Sequence, residues 1–246
     1  MVVLPLAAVV VKASGAGGSD ALRSVSGPIA LSALGLSFGG ALLTAAVNTV
    51  MGTIVAWALV RYEFPGKSLM NALVDLPFAL PTAVAGITLS ELLSPRGWVG
   101  AVHPALAASF SPAGVLVAMT FVSMPFVVRA VQPVLQQLEP EVEEAAALLG
   151  ARPRQVFGHV ILPSLRAAML TGFALSFARS VGEFGSVVII SGNIPLSTLT
   201  APVLIFQRLE EYDTVGATVI ATVMLAASIL TLAAIGLLHR ERGQHG

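Results

Sequence analysis

Residues 141–163 read EVEEAAALLGARPRQVFGHVILP, and this stretch decides how the rest of the chain is read. Glu139, Glu141, Glu143 and Glu144 crowd its start, ahead of the helix-forming run Ala145 to Leu149. Gly150 follows that run, where a glycine in the left-handed region closes a helix. Pro153 suits the first turn of a second helix, because its missing N–H is no loss there. Val156, Phe157, Val160 and Ile161 give the second helix one apolar face, and Pro163 is expected to end it. Two short helices at an angle, joined at a glycine and carrying an apolar ridge, form a docking knob.

What surrounds the knob is apolar. The chain has 246 residues, of which 56% are hydrophobic and only 11% charged. Its mean hydropathy is +0.88. A soluble domain carries about 25% charged residues, so the flanking runs are read as bilayer spans of about 20 residues each. They are continuous rather than alternating, which selects helices over a barrel. A net charge of zero argues against a nucleic-acid binder. With no cysteine there is neither a disulfide nor a thiolate metal site.

The expected fold is an all-α polytopic membrane protein with about five full spans and a short N-terminal apolar segment. Residues 1–30 hold that segment and a Gly/Ser-rich loop, 31–238 the transmembrane domain with its loop at 136–166, and 239–246 a basic tail. The first eleven residues are too short to cross a core of about 30 Å. Either the protein starts mid-helix or this start lies inside a longer first span. The first full span covers about Leu31 to Val60. In it Gly35 and Gly39 either permit close helix approach or are merely tolerated, and Asn48 is expected to bond a neighbouring helix. Gly66-Lys67-Ser68 ends like a phosphate-binding loop, but Arg61 stands where its first glycine belongs. No nucleotide site is read there.

The second span, about Met70 to Leu92, contains Pro77 and Pro81, which are expected to kink or unwind it. They serve either packing or a pore wall. A third span covers about Ala113 to Leu135, with Arg129 placed to snorkel toward the headgroups. The fourth runs from about Ala167 to Ile190 and holds Ser176, Arg179, Gly182, Glu183 and Ser186 at three- and four-residue steps, hence on one helix face. The acids Glu210, Glu211 and Asp213 precede the last span, about Val215 to Leu238, either to suit its N-terminus or to dock a partner. His103, His159, His239 and His245 all fall in loops or the tail, so no histidine base is available within a span.

The knob resembles the cytoplasmic loop of ABC-importer permeases. Glu144, Ala145 and Ala146 are followed by three residues, Gly150, nine residues, then Val160, Leu162 and Pro163. Val160 stands where that family more often has isoleucine. The stretches DLPFALPTAVAGITL (75–89) and FARSVGEFGSVVIISGNIP (177–195) resemble sulfate permeases, most closely the T-type subunit of the sulfate/thiosulfate system. The resemblance implies a type I importer permease that docks an ATPase through the loop and catalyses no reaction itself. It implies a second, related permease, two ATP-binding subunits and a periplasmic sulfate-binding protein as partners, with no cofactor or metal. Candidates for the translocation path are Pro77, Pro81, Arg179, Gly182, Glu183, Gly185 and Ser186. Arg179 and Glu183 either only fix helix packing or lend spare donors to a passing anion.

Loop charge gives an orientation without the family. Arg61, Lys67, Arg152, Arg154, Arg166, Arg240 and Arg242 fall on one side, against Lys12, Arg23, Arg96 and Arg208 on the other. The richer side is expected to be cytoplasmic, with the loop and the C-terminus. The resemblance implies that the membrane is the cell inner membrane. A molybdate or tungstate permease shares the pattern and is the alternative. A secondary transporter would show internal repeats and need no docking loop, and a membrane-embedded hydrolase would need a base within the bilayer.

Overall fold

The computed structural model describes residues 11–12 and 18–243. The short apolar segment read at the start of the sequence therefore lies outside the described residues, apart from Val11. Two amphipathic turns, α1 (Gly18–Ser26), lead into the longest helix, α2 (Pro28–Arg61). Pro28 opens α2 at the position where a missing N–H costs nothing. Next come α3 (Lys67–Ala79) and α4 (Thr82–Leu92), bent by 115° at Leu80–Pro81. Then follow α5 (Pro112–Gln137) and α6 (Pro140–Leu148). The chain continues with α7 (Pro153–Val181), the short α8 (Val187–Ile190), α9 (Ala201–Glu210) and α10 (Thr214–Gly243). Among the described residues, four helices are long and apolar enough to span a bilayer, and the bent α3–α4 pair makes a fifth span.

The core is a three-helix cluster of α2, α5 and α7, with α10 on its flank and α3 against α5. Lipid supplies no hydrophobic force between helices, so contact relies on small residues that let backbones approach. A Cβ on Gly52 of α2 would stand 2.9 Å from the Val127 side chain, and one on Gly172 of α7 would stand 2.9 Å from the Val127 backbone. Both helices thus close on one valine of α5. Gly35 and Gly39 have nothing within 4 Å of a Cβ, so within this chain they are only tolerated. Asn48 bonds neighbouring helices as expected: its Nδ2 donates to Ser123 Oγ at 2.8 Å, Ser176 Oγ at 3.1 Å and the Thr120 carbonyl at 3.3 Å.

Several expectations about helix ends and breaks need correction. Pro163 does not end a helix. Residues 157–161 form a π-turn in which the Leu162 N–H donates to the Phe157 carbonyl, and α7 runs on from Pro163 to Val181. The extra residue in that turn accommodates a proline that would otherwise break the ladder. His159 consequently sits on α7, exposed, rather than in a loop. The fourth span does not reach Ile190 as one helix but ends at Val181, with Gly182 as its cap. Of the two prolines, Pro77 lies inside α3 and only Pro81 marks the bend.

After α7 the chain crosses back irregularly. Val187, Ile190, Leu199 and Val203 pack with Ala33 of α2 and Val115 of α5 in one buried cluster. Ser37 Oγ accepts from the Ala201 N–H at 2.8 Å. Irregular backbone at membrane depth survives when protein covers it in this way. The backbone of 239–243, read as tail, continues α10 as helix.

Candidate functional site

The knob has the geometry read from its sequence at its joint and a different one at its ridge. Glu141 and Glu143 occupy the first turn of α6, where negative charge suits the helix N-terminus. Gly150 has φ +86, and the Ala151 N–H donates to the Ala146 carbonyl at 3.1 Å to close the helix end. Pro153 starts α7, and the Gln155 side chain accepts from the Arg152 N–H at 2.8 Å. The apolar face expected of the second helix is only partly outward, with Val156 and Val160 half-buried and Phe157 40% exposed. Ile161 is buried, and Phe157 packs edge-on to Trp57 of α2 with centroids 5.6 Å apart. The most exposed apolar residues of the knob are Leu148 and Leu149, at 89% and 90%. Sequence reading gave those two no role, because nothing in a helix-forming run says which leucines remain uncovered.

Of the motif residues, Glu144, Ala145, Gly150 and Pro163 are exposed, while Ala146, Val160 and Leu162 are half-buried. Glu143, not Glu144, ties the knob to the spans. Its carboxylate pairs with the Arg61 guanidinium at the end of α2, which also lies over the Trp57 ring at 5.5 Å. Sequence distance conceals that joint, since Arg61 and Glu143 are 82 residues apart.

The path candidates gather where two broken spans meet. Gly185 lies against α4: a Cβ there would run into the Thr82 side chain, 3.0 Å from its Cβ. One on Gly86 would stand 2.7 Å from the Ser186 carbonyl oxygen. Pro81 is exposed at the bend beside this contact, whereas Pro77 is a turn away within α3. Gly182 is exposed at the end of α7.

Arg179 and Glu183 pair as expected, with Nη1 and Oε2 2.6 Å apart, though not along a continuous helix. Arg179 sits in the last turn of α7, where a cation complements the helix dipole. Glu183 lies beyond the helix end and is 1% exposed. Its Oε1 accepts from the Ser186 N–H at 2.9 Å and from Ser186 Oγ at 2.8 Å. The carboxylate therefore holds the turn into α8 as well as the arginine.

A second ion pair escaped sequence reading. Arg129 of α5 is held by α3: its Nε and Nη2 donate to the two oxygens of Asp75 at 2.8 and 2.6 Å. Nη2 also donates to the Asn71 carbonyl at 3.1 Å, and Nη1 to Asn71 Oδ1 at 3.2 Å and to the Gln132 side chain. All five guanidinium N–H groups are used. Among the described residues no group of three or more His, Cys, Asp or Glu is placed to hold a metal.

Comparison with known proteins finds relatives of this chain. Residues 48–243 match the family model described as "Binding-protein-dependent transport system inner membrane component". The chain is 52% identical to the sulfate transport system permease protein CysT of Synechocystis sp., covering 98% of this chain and 85% of that protein. It is 54% identical to the protein of the same name from Synechococcus elongatus, covering 86% and 77%. A bacterial ABC transporter involved in the import of the acidic polysaccharide alginate superposes with a TM-score of 0.78 at 12% identity, over 96% of this chain and 88% of that one. A methionine ABC transporter in an inward-facing conformation gives 0.59 at 16% identity, over 92% and 97%. At such identities these structures speak to fold alone, and the fold they share is that of importer permeases.

Proposed function

We infer that this chain, which belongs to the family of binding-protein-dependent transport system inner membrane components, is the permease subunit of an ATP-driven sulfate importer. It is a multi-pass membrane protein that contributes half of a translocation path. The molybdate or tungstate alternative is not favoured, because relatives of about half identity over nearly the whole chain are sulfate permeases. Membership of a binding-protein-dependent family likewise argues against a secondary transporter.

The observation that carries the coupling role is the exposed pair Leu148–Leu149 beside the left-handed Gly150. Two fully exposed leucines at the tip of a charged extramembrane knob fit an apolar cleft on a partner. The partner proposed is an ATP-binding subunit, two copies of which would serve this chain and a second, homologous permease. A periplasmic sulfate-binding protein would deliver the anion on the opposite face. ATP hydrolysis belongs to the ATP-binding subunits, and this chain performs no chemistry. The excess of Lys and Arg on the knob side supports a cytoplasmic knob and C-terminus.

The test is co-purification from the native membrane. The wild-type chain should bring down a nucleotide-binding subunit, and Leu148→Asp with Leu149→Asp should lose it while still inserting. Retention of that subunit by the double variant would remove the pair from the docking surface.

A further inference from the structure

We propose that Arg179 is a contact for the tetrahedral oxyanion as it crosses the membrane, and that Glu183 is the positioning residue that keeps this contact weak. The proposal rests on the permease reading above and names the residue that meets the cargo.

Arg129 of α5 and Arg179 of α7 are committed differently. Arg129 spends all five N–H donors on Asp75, Asn71 and Gln132, so it has nothing left for a ligand. Arg179 is paired, among the described residues, with Glu183 alone through Nη1. Its side chain is 31% exposed and keeps unspent donors in a planar fork suited to sulfate or a similar oxyanion. Glu183, by contrast, is sealed away, with both oxygens engaged.

The surface around Arg179 is unlike a lipid-facing one. The exposed side of α2 carries Leu42, Leu43, Val47, Val50 and Ile54. The exposed side of α7 carries Thr171, Leu175, Ala178 and Gly182 beside Arg179. Leu175 is the one large apolar side chain among these, and a guanidinium inside a span faces water or protein rather than acyl chains. It also stands at the end of α7, immediately before the segment whose Gly185 and Ser186 press on the bend at Pro81. A neutralising carboxylate at 2.6 Å lowers the pull of Arg179 on an anion that must leave again.

The experiment uses the assembled complex with its partner permease and ATP-binding subunits in nanodiscs and proteoliposomes. Arg179→Met should still co-purify with its partners and lose at least tenfold in ATP-driven [35S]sulfate uptake. Glu183→Gln keeps an acceptor for Ser186 but removes the charge. It should retain several-fold more [35S]sulfate than wild type in the nanodisc complex without binding protein, and turn over more slowly. Uptake by Arg179→Met within twofold of wild type, or loss of the partner permease from that variant, overturns the proposal. So does unchanged anion retention in Glu183→Gln. A wild-type complex that moves molybdate and not sulfate would sink the sulfate reading instead, and the same variants then decide Arg179 with molybdate. Movement of neither anion overturns both.

Discussion

Gly86 of α4 rests on Ser186 so closely that a Cβ would lie 2.7 Å from the serine carbonyl oxygen and 2.8 Å from its Cα. The obstacle is backbone, which cannot swing aside as a long side chain would. Gly86→Ala should therefore shift the two broken spans apart and destabilise the chain by about 1–3 kcal/mol, the usual cost of overpacking. Thermal unfolding in detergent measures it. Gly35→Ala is the control: it has open space around it and better helix propensity, so its unfolding temperature should hold or rise.

Arg129 and Asp75 join α5 to the half-helix α3 across 54 residues of sequence. Arg129→Met should cost about 1–3 kcal/mol, less than the loss of a fully buried pair, because half of the Asp75 side chain is exposed. Limited proteolysis near Leu80–Pro81 should become faster in that variant. Adding Asp75→Leu should recover most of the loss, since apolar replacement of both partners is often neutral. No recovery would mean that the pair does more than hold α3.

A side chain at position 150 would be strained by backbone conformation alone, for Gly150 has φ +86 and nothing stands within 4 Å of its Cβ position. Gly150→Val should cost about 1–2 kcal/mol locally, the penalty of a left-handed residue, and misplace α6 relative to α7. Membrane insertion should survive while uptake and substrate-stimulated ATP hydrolysis fall together. Glu143→Lys should do the same by repelling Arg61. Glu144→Lys, on the exposed side, should act only when the ATP-binding subunit is present.

Topology is open to direct labelling. A reporter fused after Gly246 should be active only in the cytoplasm, and one inserted near Ser94 only outside, by the seven-to-four split of loop Lys and Arg. The reverse pattern would place the knob where no ATP-binding subunit can reach it.

Much of this was legible in the sequence, and for physical reasons. Apolar runs of span length announce membrane helices whatever their neighbours, and Gly150 and Pro153 punctuate the knob through local backbone preference alone. Asn48 was read correctly because a lone amide in a span must find a partner. The failures are tertiary. The steps from Ser176 to Ser186 keep helical spacing, yet α7 ends at Val181, because Glu183 bonds the Ser186 N–H and packing on α4 holds the turn. Pro163 looked like a stop because its accommodation depends on a π-turn five residues wide. The partner of Arg129 was hidden because Asp75 is 54 residues away in sequence. Glycine spacing singled out Gly35 and Gly39, whereas Gly52 and Gly172 make the close contacts, since spacing says nothing of which face meets a helix.

On the proposed reading, this chain carries sulfate across a membrane when an ATPase acts on its knob. ATP-driven [35S]sulfate accumulation in proteoliposomes of the whole complex, loaded with binding protein on the face opposite the knob, tests it most directly. Accumulation should need ATP on the knob side and disappear in Gly150→Val complexes that retain all subunits. Accumulation without ATP, or undiminished in that variant, would contradict it.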